Sequence, residues 1–443
     1  MTALRLDKLS LTNFRCFAHC EIEFHRDLTV LVAENGSGKT AVLDAAGAAL
    51  SVFVNAIYPP ENVRRIERTD VRLIPGQERR MSPRLPTEYE AQAAVHGGAV
   101  TWKSTVKKYG DKVRPSSAHF GPLKAAAQPF LSNTAVLPLI AYYGTRRLWG
   151  EHRQTEYRRS SVTNVGERVA GYADCLTSSS SFKGISAWFE HRARQTASPA
   201  YKESLPVNLA MIAGVKQAAD TVLKPTGWSN LDWDHELHAL TAEHEMQGRL
   251  PLSMLSDGVR TMLALVADVA RRCASLNPHL SDQAAIETPG VLIVDEVDMH
   301  LHPRWQQQVL GLLRSAFPAL QIIVSTHSPH VLSTVDNSSI RVLHISNGDV
   351  VIETPLIQTR GVESADVLAT VMDVDPVPQL QESSDLSTYR TLIEDAKADA
   401  PEALALRQRL VAHFGQSHPV MLECDRLIRF QRFRLAKSRP EGA

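Results

Sequence analysis

Thr29-Val30-Leu31-Val32-Ala33-Glu34-Asn35-Gly36-Ser37-Gly38-Lys39-Thr40 runs from an apolar strand into a glycine-rich turn, and Ala41-Val42-Leu43-Asp44-Ala45-Ala46 continues it as a helix. Strand, small-residue turn and a helix opening on Lys-Thr are the parts of a phosphate-binding loop. The glycines let backbone N–H groups curl around phosphates. In such a loop Asn35, Gly36, Ser37 and Gly38 form the cradle, Lys39 reaches the β/γ oxygens and Thr40 ligates Mg²⁺. Ala33 stands where the pattern usually starts with glycine. Alanine resists positive φ, and we read it as a tolerated variant.

A second stretch, far downstream, completes that chemistry. Val291-Leu292-Ile293-Val294 is an uninterrupted apolar run of the kind buried in a parallel sheet, and it ends in Asp295-Glu296. An aspartate there holds Mg²⁺ through water, and the neighbouring glutamate polarises the attacking water. Asp295 therefore joins Thr40 at the metal, and Glu296 is the candidate general base. Leu320-Gln321-Ile322-Ile323-Val324 is another strand, ending in Ser325-Thr326-His327-Ser328. A histidine after a strand is more often a satisfied turn residue. In this company His327 reads as a sensor of the γ-phosphate.

Leu255-Ser256-Asp257-Gly258 opens the apolar run Met262-Leu263-Ala264-Leu265-Val266-Ala267. Ser-Asp-Gly is ordinary turn chemistry, but at a helix N-terminus it is also an anion site. Its place between the two nucleotide motifs gives it weight. The arrangement resembles the AAA-family, ABC-type ATPase heads of the SMC, RecF and OLD families. The resemblance implies an α/β P-loop NTPase fold of ABC-head type, with a mixed central sheet and an antiparallel β-layer. It implies head-to-head dimers closing on two ATP molecules, with Ser256 and Gly258 contacting the γ-phosphate held by the opposite subunit. It also makes Asp298 the D-loop aspartate and His327 the switch histidine. The Asn13-Phe14-Arg15 segment looks like the first strand of these heads, where Arg15 approaches the nucleotide.

The 443 residues allow one large domain with an insertion, or two domains. Formal net charge is +0, so no whole-chain field favours nucleic acid. Cys16, Cys20, Cys175, Cys273 and Cys424 do not fall into a metal spacing and read as thiols in a reducing cytosol. His300 and His302, in Met299-His300-Leu301-His302-Pro303, tempt a metal reading, but the same stretch is typical of OLD-like heads without being a metal site. No N-terminal signal is expected, nor an apolar run near the ~18 residues of a membrane span. The expectation is a cytoplasmic protein.

Four regions are expected: an N-terminal ATPase lobe at 1–147, a mostly helical insertion at 148–250, a C-terminal ATPase lobe at 251–356 and a helical tail at 357–443. Leu4, Leu6, Leu9, Leu11, Ile22 and Phe24 suggest a strand pair, and residues 62–86 read as a mobile connection. Two β-rich runs, 87–96 and 99–107, flank Gly97-Gly98 as a hairpin. Arg146 and Arg147 follow a predicted strand and face phosphate, a partner or solvent. Thr177-Ser178-Ser179-Ser180-Ser181 reads as a loop, and no heptads are sustained in the insertion, so no long coiled-coil arm is expected.

Tail helices are predicted at about 385–398, 401–413 and from 422. The last carries Arg426, Arg429, Arg432, Arg434, Lys437 and Arg439 interleaved with Phe430 and Phe433. Such a helix either tracks DNA or RNA or exposes ordinary charge over buried aromatics. Asp373-Val374-Asp375 lacks the α/β surroundings of a nuclease metal site. The whole resembles the stand-alone ATPases of Septu-type and retron-associated anti-phage systems. That resemblance implies a slow, regulatory ATPase whose ATP-loaded oligomer restrains a separately encoded HNH-type nuclease. The alternative is a RecF/SMC-like repair ATPase that clamps DNA.

Overall fold

The computed structural model describes residues 4–59, 64–76, 80–110, 117–132, 134–145, 166–176, 182–197, 205–346 and 349–437. Arg146, Arg147, Arg439 and the serine-rich loop at 177–181 lie outside the described residues. The chain divides into two units, Met1–Met372 and Asp373–Ala443.

The core of the first unit is a sheet of six strands: β3 (Leu28–Ala33), β9 (Leu139–Tyr143), β13 (Gly290–Val294), β14 (Leu320–Thr326), β15 (Ile340–Ser346) and β16 (Asp349–Glu353). Their order is β16-β15-β3-β14-β13-β9, parallel throughout except for β16 at one edge. Every residue of β3, β9, β13 and β14 is buried, which is why these strands read as continuous apolar runs with no alternation. The fold is α/β.

A second, antiparallel sheet comprises β1 (Leu4–Phe14), β2 (Phe17–Glu23), β6 (Thr87–Val95), β7 (Gly98–Val106) and β8 (Ser117–His119), in the order β2-β1-β6-β7-β8. The apolar positions of β1 switch parity after Leu6 because the register slips between Leu6 and Lys8, a bulge that returns Leu9 and Leu11 to the core. Val95 pairs with Gly98, so the hairpin turn is His96-Gly97, both at positive φ, and not Gly97-Gly98. Positive φ at both central residues suits the right-handed twist of the strands. Residues 64–76 and 80–86 are pinned, contrary to the expected mobile connection. Asp70 is buried, Arg15 N–H donates to Asp70 O at 2.8 Å, and β4 (Leu73–Pro75) pairs with β5 (Met81–Pro83).

Helix α1 (Lys39–Ile57) packs against β3, β9 and β14 of one sheet and β6 of the other, and Trp102 Nε1 donates to its Ala49 carbonyl at 3.1 Å. By length and composition α1 could cross a membrane, which the sequence reading did not anticipate, but 78% of its apolar window is buried inside the fold. Helix α2 (Gly121–Ala127) packs on α1 and β7.

The insertion contributes α3 (Phe182–Ala197) and α4 (Leu205–Leu223), but also a three-stranded sheet: β10 (Trp228–Asp234), β11 (Ala239–His244) and β12 (Gly248–Pro251). These strands are short and half solvated, and a register shift within β10 breaks the alternation that would have marked them. Helix α5 (Asp257–Leu276) follows; at 20 residues it is the longest among the described residues. Short helices α6 (Ala284–Glu287), α7 (Pro303–Gln306), α8 (Val309–Ala316), α9 (Pro329–Leu332) and α10 (Ser364–Val371) complete this unit.

The second unit holds α11 (Gln381–Glu394), α12 (Pro401–Phe414) and α13 (Pro419–Lys437) around its own core of Tyr389, Ile393, Ala403, Leu406, Leu410, Met421 and Cys424. On α13, Arg426 pairs with Glu423 at 3.2 Å and Arg432 with Asp399 at 2.8 Å, while Phe430 and Phe433 are exposed.

Candidate nucleotide site

Because β3, β14 and β13 are adjacent and parallel, the loops leaving their C-terminal ends converge, although they lie far apart in sequence. They enclose a cavity of about 360 Å³ lined by Arg15, Cys16, Asn35, Gly36, Gly38, Lys39, Thr40, Ala41, Asp295, Glu296 and His327. Ser37 is buried within the loop. Ala33 ends β3 as a buried strand residue and is not among the positive-φ residues, so the missing glycine costs the loop nothing in backbone conformation. Gly36 and Gly38 sit at φ 83° and 98°, and Gly38 caps α1. A Cβ on Gly38 would stand 2.6 Å from Cys16 Sγ and 2.7 Å from Phe17 Cζ, so space as well as conformation demands glycine there.

Lys39 Nζ donates to Ala33 O at 2.8 Å and Glu34 O at 3.2 Å. Burial lowers its pKa, opposed by the charges of Asp295, Glu296 and Asp298. Thr40 Oγ1 donates to Asp295 Oδ2 at 2.9 Å, bringing together the two oxygen donors assigned to Mg²⁺. A hydroxyl and a carboxylate at a phosphate loop suit a hard cation that keeps several waters and substrate oxygens. Ser325 Oγ donates to the other oxygen of Asp295 and accepts from Glu296 N–H at 2.8 Å. Glu296 itself sits at φ 48°, a conformation non-glycine residues seldom hold without support. Asp298, outside the cavity lining, accepts from Thr326 Oγ1.

Arg15, also at positive φ, donates to Asp44 Oδ2 at 2.7 Å and to Asp70 Oδ1 at 2.9 Å. Burial works against its charge, and these two carboxylates outweigh it. Asp44 further accepts from Arg64 at 3.0 Å, and its charge lies close enough to the buried Tyr142 hydroxyl to help raise that group's pKa, chiefly raised by burial. This polar ring beside the cavity was not read from the sequence. Its one visible signal is an aspartate inside the apolar run of α1.

The Ser-Asp-Gly segment lies elsewhere. Ser256 is the N-cap of α5, exposed and without a side-chain cap bond, and neither it nor Gly258 lines the cavity. A Cβ on Gly258 would meet His300 O at 2.5 Å, so that glycine lets the loop after Asp298 close on the helix. His302 caps α7 through its ring nitrogen, accepting from Arg304 N–H at 3.3 Å. Among the described residues no three His, Cys, Asp or Glu side chains gather as a metal cluster.

Two family models match the chain: "AAA domain" over residues 8–183 and "AAA domain, putative AbiEii toxin, Type IV TA system" over residues 160–333. The chain is similar to the Retron Ec83 probable ATPase of Escherichia coli, 25% identical over 95% of this chain and 86% of that protein. It is also similar to the Retron Vc95 probable ATPase of Vibrio cholerae serotype O1 biovar El Tor, 22% identical over 93% and 88%. A local match to the Septu protein PtuA of Bacillus mycoides is 34% identical over 21% of this chain and 12% of that protein.

Proposed function

We propose that this chain, an ABC-type AAA ATPase, binds ATP with Mg²⁺ in the cavity and closes head-to-head on a second copy. By that closure it controls a separately encoded HNH-type nuclease in anti-phage defence, in the cytoplasm. Hydrolysis is slow and serves to reset the closed state. Lys39 binds the β/γ-phosphates, Thr40 and Asp295 hold Mg²⁺, Glu296 orients the water and His327 faces the γ-phosphate.

The observation that carries this reading is a separation. The cavity gathers the phosphate loop, both acidic residues and His327, whereas Ser256 is exposed at the N-terminus of a long helix and absent from the cavity lining. A helix N-terminus offers unpaired N–H groups and a positive dipole end to an anion. With its own cavity elsewhere, the natural anion for Ser256 and Gly258 is a second copy's γ-phosphate. The names of the relatives support the defence setting.

The test mixes two defective proteins. Lys39→Ala should lose at least tenfold in ATP affinity (~1.4 kcal/mol). Ser256→Arg should keep monomer binding but block closure. Each alone should be inactive, while the mixture should regain ATPase activity, because one of the two composite sites then pairs an intact Lys39 with an intact Ser256. Normal hydrolysis by Ser256→Arg alone would refute the composite site.

A further inference from the structure

Two adjacent hydroxyls at the end of β14 meet every acidic residue of the loop after β13. Ser325 Oγ donates to Asp295 Oδ1 and accepts from Glu296 N–H at 2.8 Å. Its backbone carbonyl accepts from Val297 N–H at 3.0 Å. Thr326 Oγ1 donates to Asp298 Oδ1 and accepts from Ser328 N–H at 3.0 Å, which closes the turn carrying His327. Both residues are fully buried. Buried hydroxyls are hydrogen-bonded almost without exception, and here each has spent its one proton on a carboxylate.

Resting on the ATPase reading above, we propose that Ser325 and Thr326 are positioning residues with divided duties. Ser325 sets the site of its own subunit: it leaves one oxygen of Asp295 for Thr40 and the metal, and it holds Glu296 in the left-handed conformation that aims its carboxylate. Thr326 sets the turn of His327: its hydroxyl joins Asp298 to that turn, so the loop after β13 and the cavity-lining histidine are fixed as one piece. The strand end thereby fixes the acidic loop and the histidine of one site together.

Four variants of the full chain test this: Ser325→Ala, Ser325→Cys (near the same size, a weak donor), Thr326→Val (the same shape without the hydroxyl) and Thr326→Ser. ATP affinity without Mg²⁺, Mg²⁺ half-saturation, kcat and melting temperature are measured. Loss of a partner that orients a metal ligand costs on the order of 10- to 100-fold in metal affinity or activity. Ser325→Ala and Ser325→Cys should both show that loss in Mg²⁺ half-saturation and kcat, with metal-free ATP affinity within about threefold of wild type. Thr326→Val should lower kcat with Mg²⁺ half-saturation unmoved, because it loosens the turn of His327, and Thr326→Ser should restore it. Full kcat and Mg²⁺ affinity in Ser325→Cys, or wild-type kcat in Thr326→Val, would assign these positions to packing and overturn the inference alone. Wild-type protein that takes up no ATP would overturn the ATPase reading and this inference with it.

Discussion

Gly36 and Gly38 share one loop and one sign of φ, yet the structure predicts very different costs for replacing them. Gly36→Ala places its Cβ in open space, with nothing within 4 Å, so the expected penalty is the left-handed strain alone, roughly 1–2 kcal/mol. Gly38→Ala carries the same strain and drives its Cβ to 2.6 Å from Cys16 Sγ and 2.7 Å from Phe17 Cζ. Overpacking of a filled site adds about 1–3 kcal/mol, for a total of roughly 2–5. Phe17 is fully buried in β2 and cannot yield, and Cys16 lines the cavity, so whatever moves narrows the space for nucleotide. Denaturant unfolding should therefore rank Gly38→Ala well below Gly36→Ala, and calorimetry should show ATP binding lost in the former. Adding Cys16→Ala should recover part of the loss, because it removes the sulfur clash and leaves the ring. If the two glycine variants unfold together, the close approach of β2 to the loop does not constrain Gly38, and the reasoning fails.

Glu296→Gln keeps the side chain's shape and removes its basicity, so ATP should still bind, the closed dimer should accumulate by size-exclusion chromatography, and hydrolysis should nearly stop; wild-type turnover would move the base elsewhere. Asp268→Asn on α5 should destabilise by ~3–5 kcal/mol in chemical denaturation, since it strips the carboxylate from Arg272, which is buried and bound at 2.9 Å; a change under about 1 kcal/mol would mean the pair contributes little.

The sheet strands and the motifs at their ends were legible because each is dictated locally. Four apolar residues run into Gly36-Ser37-Gly38-Lys39 and four into Asp295-Glu296, and no tertiary context is needed to read either. What the sequence concealed is pairwise. Asp44 looks like an oddity in an apolar helix until Arg15, Arg64 and Tyr142 are found around it. Ser325 looks like a strand-ending serine until two residues of another strand's loop are found on its hydroxyl. The sheet at 228–251 was hidden for a different reason: its strands are half solvated and one is bulged, so period-two alternation never runs long enough to be seen. The doubt raised by Ala33 also dissolves in context, for the position belongs to the strand and not to the turn.

Strand β9 shows how the two halves of the site are held in one frame. Successive residues of a strand point to opposite faces, and here both are tyrosines. Tyr142 packs against Gly47 of α1, near Asp44, on the helix that begins at the phosphate loop. Tyr143 donates at 2.7 Å to Asp268 on α5, the helix that begins at Ser256. Burial would raise the pKa of Asp268, but Arg271 and Arg272 more than offset it and hold the carboxylate ionised, while Arg272 donates onward to Gly171 O and Ala173 O. The carbonyl of Tyr143 also accepts from Asp295 N–H at 2.8 Å. One edge strand thus touches the phosphate-loop helix, the residue assigned to the metal and the helix that presents Ser256. A buried ion pair is a poor way to gain stability, but it tolerates little change in geometry. That is what a protein needs if a helix tip at its surface must meet a phosphate held by another copy.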